Sequence, residues 1–260
     1  MITSVQNPRI KQVRALLHQR QERKERALCI IEGVRLIEEA LSAGWKPDFM
    51  LFSQQLSPRG RSLLHAFAAQ GAEVEEIDSR LMKSLADTEN PQGILGVFPV
   101  TPTPLPPPPL MQFLLVLDQV RDPGNMGTLL RTAAAAGVQA VLLTPGSAEA
   151  YSPKVLRAGM GAQFRLPVHR MDFAAIQALY SPTLQFWLAE AARGTPCWRA
   201  DLLPPLALVI GGEADGASPE ARSACPHTIT IPMPGESESL NAAIAAAILM
   251  FEVVRQRKTA

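Results

Sequence analysis

The sequence has few of the features that disulfide-rich, metal-binding or membrane proteins need. Its three cysteines, Cys29, Cys197 and Cys225, are far apart and form no CxxC pair, which argues against a disulfide framework and a zinc site. The N-terminus has no apolar segment of the signal-peptide type. The longest apolar run, 242–250, is too short to span a bilayer. We therefore expect a cytoplasmic protein without a metal site or a membrane segment.

Net charge is also small. The formal net charge of the 260 residues is +1, so the whole chain has no general attraction for nucleic acid. Residues 9–26, however, carry seven basic side chains against two acidic ones. Such a segment is typical of a phosphate-binding surface, but a solvated helix face would have the same composition. The candidate RNA contacts are Arg9, Lys11, Arg14, Arg20, Arg23 and Lys24.

Hydrophobic residues are plentiful, and one segment divides the chain. Hydrophobic residues make up 47% and charged residues 19%, which predicts a packed core and excludes disorder along the whole chain. Residues 101–110 read TPTPLPPPPL, and so many prolines favour an extended spacer. We expect one domain over 1–100, a linker over 101–110 and a second domain over 111–260.

The first part alternates helices and strands. Asn7-Pro8 and Ser57-Pro58 are typical helix starts, because Asn or Ser caps and Pro fits the first turn. Apolar runs predict the strands 28–31, 49–52, 74–77 and 94–100. These elements indicate a small α/β sandwich.

The second part alternates more strictly. Apolar runs predict the strands 113–117, 140–143, 165–168, 185–188, 206–210 and 228–231. Helical spacing and start signals predict the helices 126–136, one after Ser152-Pro153, 173–179, 219–224 and 239–256. Apolar strands alternating with helices indicate a mainly parallel sheet that is covered on both faces.

Three segments at predicted strand ends could carry chemistry, since ligands of open α/β sheets bind there. In the first, 117–137, a strand leads through a glycine-containing loop into a helix. Asn125 lies in the loop or at the helix cap, and Arg131 lies further into the helix. The segment lacks GxGxxG and a P-loop lysine. A ligand site and an ordinary strand–turn–helix are equally compatible with it.

The second segment, 208–218, places Gly211 and Gly212 directly after an apolar strand. Paired glycines at that point indicate a close approach of the backbone to another group or a left-handed turn. Glu213 follows and would lie at the edge of the sheet, where it could be functional or simply solvated.

The third segment, 228–255, begins with a strand and a loop restricted by Pro232 and Pro234. Four polar residues cluster where the next helix begins: Ser237, Glu238, Ser239 and Asn241. Free backbone N–H groups at a helix start suit an anion or a polar ligand, although a plain helix cap has the same sequence. The helix itself is apolar all round, so we expect it to be buried or to lie at a subunit contact.

In this order, the three segments resemble motifs 1, 2 and 3 of the SpoU/TrmH-type RNA methyltransferases of the SPOUT superfamily. The matching residues are Asn125-x-Gly127-x-x-x-Arg131, Gly211-x-Glu213-x-x-Gly216, Ile231-Pro232-Met233 and Ser239-Leu240-Asn241. Ala214 and Ala217 depart from the family pattern. The stretches SVQNPRIKQ and IIEGVRLIEEAL resemble the substrate-binding domain of these enzymes, which is similar to ribosomal protein L30e.

The resemblance implies a parallel-sheet SPOUT domain with a deep trefoil knot, preceded by a small L30e-like α/β domain, and a homodimer with the last helix in its interface. It implies S-adenosylmethionine as the methyl donor and a ribose 2′-hydroxyl of RNA as the acceptor. The implied cofactor-binding residues are Gly211, Gly212, Ile231, Met233 and Leu240. The implied catalytic residues are Asn125, Arg131, Glu213, Ser239 and Asn241.

Two questions stay open at this level. Arg131 could act as an unusual base or as a clamp on a phosphate, since a guanidinium is normally a poor base. Ribosomal RNA is the favoured substrate, by analogy with L30e, and the alternatives are a tRNA 2′-O-methyltransferase or a non-catalytic RNA-binding protein. A nucleotide-binding oxidoreductase is disfavoured because GxGxxG and its acidic partner are absent.

Overall fold

A computed structural model describes residues 1–86, 88, 90–213, 215–235 and 239–259. The chain forms two compact units, Met1–Thr101 with Tyr151–Phe164 and Pro102–Ala150 with Arg165–Ala260. The change of unit after Thr101 coincides with the start of the proline-rich segment. Residues 151–164 group with the first unit, whereas the sequence had assigned them to the second part.

The first unit is a four-stranded mixed sheet with helices. Its strands are β1 (Leu28–Glu32), β2 (Phe49–Phe52), β3 (Glu73–Glu76) and β4 (Ile94–Pro99). Its first five helices are α1 (Pro8–His18), α2 (Arg20–Arg26), α3 (Val34–Ser42), α4 (Pro58–Ala69) and α5 (Ser79–Leu85). The strand order is β1-β4-β2-β3, in which β4 is antiparallel to both neighbours and β2 is parallel to β3.

The predicted helix starts are confirmed. Asn7 caps α1 by accepting a hydrogen bond from the N–H of Arg9 at 2.9 Å, and Ser57 caps α4 by accepting one from Gly60 at 3.2 Å. The separate helix α2 was not predicted. It ends at Arg26, and the next residue, Ala27, has a left-handed φ of 51°.

Residues 151–164 belong to the first unit because their apolar side chains lie in its core. Leu156 and Phe164 are buried in the same cluster as Ile31 and Ile37. Trp45 also packs on Phe164, with ring centroids 4.9 Å apart, and donates a hydrogen bond from Nε1 to its carbonyl at 3.2 Å. Periodicity along the chain could not reveal this grouping.

The second unit is built on a seven-stranded sheet. Its strands are β5 (Phe113–Asp118), β6 (Ala140–Leu143), β7 (Val168–Arg170), β8 (Gln185–Ala189), β9 (Thr195–Pro196), β10 (Leu206–Gly211) and β11 (His227–Thr230). The remaining helices in chain order are α6 (Pro123–Ala135), α7 (Pro153–Ala158, in the first unit), α8 (Phe173–Tyr180), α9 (Pro219–Ala224) and α10 (Ala242–Thr259). The order is β7-β6-β5-β10-β8-β11-β9, and every neighbouring pair is parallel.

Both faces of this sheet are covered, as predicted. Leu114 and Val116 of β5 pack in a cluster with residues of α8 and α9. Leu115 and Leu117 point to the other face, because side chains alternate along a strand, and they are fully buried too. On that side α10 contacts β10 and packs against α6. Within the described part of the chain, no helix is long and apolar enough to cross a membrane.

Three predicted boundaries were displaced. The strand predicted over 165–168 begins only at Val168, after a 3-10 turn at Ala162–Phe164. Helix α6 begins at Pro123, because Asp122 rather than Asn125 caps it by accepting from the N–H of Asn125 at 2.7 Å. Helix α10 begins at Ala242, because Asn241 accepts hydrogen bonds from the N–H groups of Ala243 and Ile244.

Candidate functional site

A cavity of about 450 Å³ lies at the carboxyl ends of β10 and β11 and against the start of α10, and we call it the first cavity. It is lined by all five residues that the sequence suggested for cofactor binding: Gly211, Gly212, Ile231, Met233 and Leu240. It is also lined by three of the five suggested catalytic residues, Glu213, Ser239 and Asn241. The fold therefore brings eight of the ten suggested residues to one place.

The two glycines at the end of β10 are required by neighbouring backbone. A Cβ on Gly211 would lie 2.4 Å from the backbone nitrogen of Ala217, and one on Gly212 would lie 2.5 Å from the carbonyl oxygen of Gln119. Gly212 and Gly216 exchange two backbone hydrogen bonds of 3.1 Å, and these close the loop between them. The close approach that the sequence predicted is thus an approach of backbone to backbone.

A second cavity of about 430 Å³ adjoins the first, and we call it the second cavity. Both cavities are lined by Gly212, Glu213, Gly216 and Asn241. The second is also lined by Gln119, Arg121, Asp122, Asn125 and Asp215. The shared residues therefore form a wall between two adjacent binding spaces.

Three polar side chains of the second cavity form a hydrogen-bonded chain, and two of them, Glu213 and Asn241, also line the first cavity. Asn125 donates from Nδ2 to Oε1 of Glu213 at 2.8 Å, and its Oδ1 accepts from Nδ2 of Asn241 at 3.0 Å. A carboxylate can only accept, so Glu213 fixes the orientation of Asn125, which in turn fixes that of Asn241. The remaining Oδ1 of Asn241 then faces the N–H groups that it caps. All three segments singled out from the sequence meet here.

A buried carboxylate beneath the site was not recognised from the sequence. Asp118, which is 1% exposed, accepts from the hydroxyl of Thr144 at 2.8 Å and from the N–H of Ser218 at 2.7 Å. It thereby links the end of β5 to the end of β6 and to the segment after β10. The sequence did contain a signal, since Asp118 is the acidic end of an otherwise apolar strand. A carboxylate that is buried there needs hydrogen-bond partners from neighbouring segments.

Arg131 and Ser239 lie outside this hydrogen-bonded chain. Arg131 is exposed on α6 and makes no hydrogen bond or ion pair with any residue that the structure describes. Ser239 is exposed at the first cavity. Ala214, Ser237 and Glu238, which the sequence also singled out, lie outside the described residues.

The basic segment 9–26 divides into engaged and exposed side chains. Arg23 is buried and donates hydrogen bonds to the carbonyls of Leu16 and Leu17, so it stabilises the end of α1 rather than facing a phosphate. Arg9 forms ion pairs with Glu73 and Glu75 and lies over the ring of Phe49. The prediction of a phosphate contact was wrong for Arg23, since its guanidinium is turned inward.

The other four candidates in the segment reach the surface to different degrees. Lys11, Arg20 and Lys24 are exposed, and the half-buried Arg14 donates to the hydroxyl of Ser84 at 3.2 Å. The exposed lysines and Arg20 are therefore the side chains of this segment that can meet a phosphate without rearrangement.

Thiol chemistry and a metal site have no support near the cavities. All three cysteines are buried and unpaired by disulfides. Burial raises the pKa of the Cys225 thiol to about 12, and the charge of Asp118 adds to the effect, so this thiol stays protonated and is a weak nucleophile. Among the described residues, no group of three or more His, Cys, Asp or Glu side chains could hold a metal ion.

Two family models match the chain. The SpoU rRNA Methylase family matches residues 112–251, and the MRM3-like substrate binding domain matches residues 7–96. The first match contains both cavities, and the second covers most of the first unit.

Individual relatives match nearly the whole chain. It is 33% identical to a 23S rRNA (uridine(2479)-2′-O)-methyltransferase of Streptomyces viridochromogenes, over 98% of this chain and 92% of the relative. It is 32% identical to an uncharacterized tRNA/rRNA methyltransferase of Synechocystis, over 98% and 94%. A crystal structure of an AdoMet-bound rRNA methyltransferase from Sinorhizobium meliloti superimposes with a TM-score of 0.87 at 31% identity, over 98% of this chain and 97% of that one.

Proposed function

Because the chain belongs to the SpoU rRNA Methylase family, we propose that it transfers a methyl group from S-adenosylmethionine to a ribose 2′-hydroxyl of ribosomal RNA. The observation that carries the proposal is the first cavity, which gathers all five residues suggested for the methyl donor beside Glu213 and Asn241. Relatives named as rRNA 2′-O-methyltransferases favour ribosomal RNA over transfer RNA.

The residues of the first cavity fit S-adenosylmethionine. An apolar side is available for the adenine ring, since Ile229, Ile231 and Leu249 line it. Polar groups of Glu190 and the backbone after β10 suit the ribose and the amino-acid end. When bound, this cofactor supplies an electrophilic methyl group on a sulfonium. The backbone around Gly211 and Gly212, with Ile231, Met233 and Leu240, would hold it.

The chain Glu213–Asn125–Asn241 would orient the acceptor ribose. Glu213 and Asn241 line both cavities and Asn125 lines the second, so a ribose in the second cavity would lie next to the methyl donor. A rigid, pre-oriented set of amide groups lowers the entropic cost of aligning a hydroxyl for transfer. Ser239, which lines the first cavity, is the further polar group that we assign to this task.

We assign Arg131 to the RNA phosphate next to the acceptor ribose. Its exposed guanidinium has no polar partner among the described residues and is open to a bidentate contact. A base role would need strong desolvation, which this chain alone does not provide at an exposed position. Positive charge close to the ribose would stabilise the developing alkoxide.

We further propose a homodimer formed through α10. Ile244, Ile248 and Phe251 lie on one face of this helix and are 51%, 41% and 48% exposed. Spacings of four and three residues place them in a single apolar stripe, which suits a contact with a second copy. Arg131 lies on α6, which packs against α10, so a partner there would come near the reacting groups.

The proposal assigns RNA recognition to the first unit, as an L30e-like domain, and a trefoil knot to the second. The match of the MRM3-like substrate binding domain supports the first assignment, and the match of the SpoU rRNA Methylase family supports the second. Lys11, Arg20 and Lys24 would supply phosphate contacts there. Two observations favour a cytoplasmic location. A relative is named as a methyltransferase of bacterial 23S rRNA, and the three cysteines of this chain are free thiols.

The proposal is tested by mapping 2′-O-methyl groups in total RNA from cells with and without the gene. We expect one or a few sites in ribosomal RNA to lose methylation, and restoration by the wild-type gene but not by Arg131→Ala. Calorimetry should show that Arg131→Ala binds S-adenosylmethionine as the wild type does. Methylation lost from transfer RNA alone would contradict the substrate, and unchanged RNA would leave a non-catalytic RNA-binding role.

A further inference from the structure

The second cavity contains groups that none of the family motifs assigns. Arg121 reaches across it, with Nη1 3.4 Å from Oδ2 of Asp215 and Nη2 donating to Oε1 of Gln119 at 3.1 Å. Both members of the ion pair are well exposed, at 58% for Arg121 and 73% for Asp215. The pair joins the loop after β5 to the loop after β10 at the opening of the cavity.

The second cavity is lined mainly by acidic side chains, which repel RNA phosphates. Its cationic group, Arg121, becomes available to a phosphate only when its ion pair with Asp215 opens. Asp122, Glu213 and Asp215 are acidic, and Arg121 is the only cationic side chain among the described residues in the wall. Asp122 is engaged in capping α6, and Glu213 accepts from Asn125 and from the N–H of Arg121. Asp215, in contrast, makes its one polar contact within the described chain with Arg121.

From this arrangement we infer that the second cavity receives the acceptor nucleotide of the RNA, and that Arg121 leaves Asp215 to bind a phosphate of that nucleotide. The inference rests on the proposed function and adds to it a binding residue and its competitor. Arg121 is an affinity residue, whereas Arg131 acts on the transfer itself.

Three physical arguments support the exchange of partners. An exposed ion pair contributes little to stability, so Asp215 holds Arg121 only weakly. A guanidinium binds a phosphate through two parallel charge-assisted hydrogen bonds, which a single 3.4 Å contact to Asp215 does not match. The volume of about 430 Å³ is within the usual range of about 300–1,000 Å³ for ligand pockets.

Asp215 then has a definite role. It keeps Arg121 stretched across the opening of the cavity in the free protein, and it competes with the phosphate for the same guanidinium. Removing the Asp215 carboxylate should therefore strengthen RNA binding, while removing the Arg121 guanidinium should weaken it. Opposite effects from the two partners of one ion pair would not arise if the pair only stabilised the fold.

The test uses the full-length protein, S-adenosylmethionine and the RNA that the wild type methylates. We expect Arg121→Gln to raise the KM for RNA about tenfold or more, with kcat and the Kd for S-adenosylmethionine nearly unchanged. The slope of log affinity against log salt concentration should become less steep by about 0.7–0.9, because one phosphate contact is lost. Arg121→Lys should recover part of the affinity, because lysine keeps the positive charge but cannot form two parallel hydrogen bonds to a phosphate.

Asp215→Asn should lower the KM for RNA several-fold. Glu220→Gln, which removes an exposed carboxylate from α9 of the same unit and lines neither cavity, is the matched control and should leave the KM for RNA unchanged. An unchanged KM and salt slope in Arg121→Gln would overturn the inference, as would a rise in KM in Asp215→Asn. A wild-type protein that methylates no RNA would instead refute the proposed function, so the two failures are distinguishable.

Discussion

Asn125 and Glu213 are 88 residues apart in the sequence, and a 2.8 Å hydrogen bond from Nδ2 of Asn125 to Oε1 of Glu213 joins them at the edge of the seven-stranded sheet. The bond sets the direction of the hydrogen bond that Asn125 accepts from Asn241. Since the acceptor-only carboxylate determines the orientation of two amides, Glu213 is the residue on which the geometry of this wall depends most.

Replacing the carboxylate should therefore impair turnover more than cofactor binding. We expect Glu213→Gln to lower kcat about 10- to 100-fold, because a charge-assisted hydrogen bond and the fixed orientation of Asn125 are both lost. The Kd for S-adenosylmethionine, measured by calorimetry, should change much less. Glu220→Gln, an exposed glutamate in the first turn of α9, is the control. Wild-type kcat in Glu213→Gln would exclude an orienting role.

The glycines after β10 should tolerate no side chain. Gly212→Ala places a methyl group against the carbonyl of Gln119, so we expect a loss of about 1–3 kcal/mol in the free energy of unfolding. For a chain of this size that is about 2–4 °C in Tm for each kcal/mol. The Kd for S-adenosylmethionine should rise as well, because the displaced backbone lines the first cavity.

Gly235→Ala is a matched control for that substitution. Gly235 lies in the loop after β11, and a Cβ built there meets no described residue within 4 Å. Both Tm and the Kd for S-adenosylmethionine should stay at wild-type values. A comparable loss in the two variants would mean that glycine flexibility, rather than close backbone packing, explains the effect.

The basic segment should separate into stabilising and RNA-binding residues. Arg23→Ala removes the hydrogen bonds to the carbonyls of Leu16 and Leu17, so we expect it to cost about 1–3 kcal/mol of stability, with unchanged RNA affinity well below Tm. Lys24→Ala should leave stability unchanged and weaken RNA binding. Its slope of log affinity against log salt concentration should become less steep by about 0.7–0.9. Thermal unfolding and salt titrations measure the two effects, and an equal loss of RNA affinity in both variants would refute the division.

The apolar stripe on α10 should control assembly. We expect Ile248→Asp to convert the dimer to a monomer in sedimentation, because a charge in an apolar contact is strongly unfavourable. Leu179→Asp is the control, since Leu179 on α8 is 40% exposed and Ile248 is 41% exposed, but only Ile248 lies in the stripe. A wild-type protein that sediments as a monomer would contradict the dimer itself.

Much of the fold followed from local sequence patterns. Apolar runs marked the central strands β5 and β10, and Asn7-Pro8 and Ser57-Pro58 marked helix starts that the structure confirms. Residues 151–164 could not be assigned correctly in this way. Their place in the first unit depends on Leu156 and Phe164 entering its core, and a pattern along the chain shows that a residue is apolar but not which core will accept it.

By itself the sequence selected eight residues that line one cavity, because three strand-end segments follow one another in the order of the family motifs. Only the tertiary structure decided which other charged side chains surround them and which basic side chains are left for RNA. It turned Arg23 inward onto helix carbonyls, buried Asp118 beneath the sheet edge, and paired Arg121 with Asp215 in a second cavity. Such pairings depend on which strand ends become neighbours in the sheet, and residues about 90 positions apart become neighbours only when β10 pairs with β5.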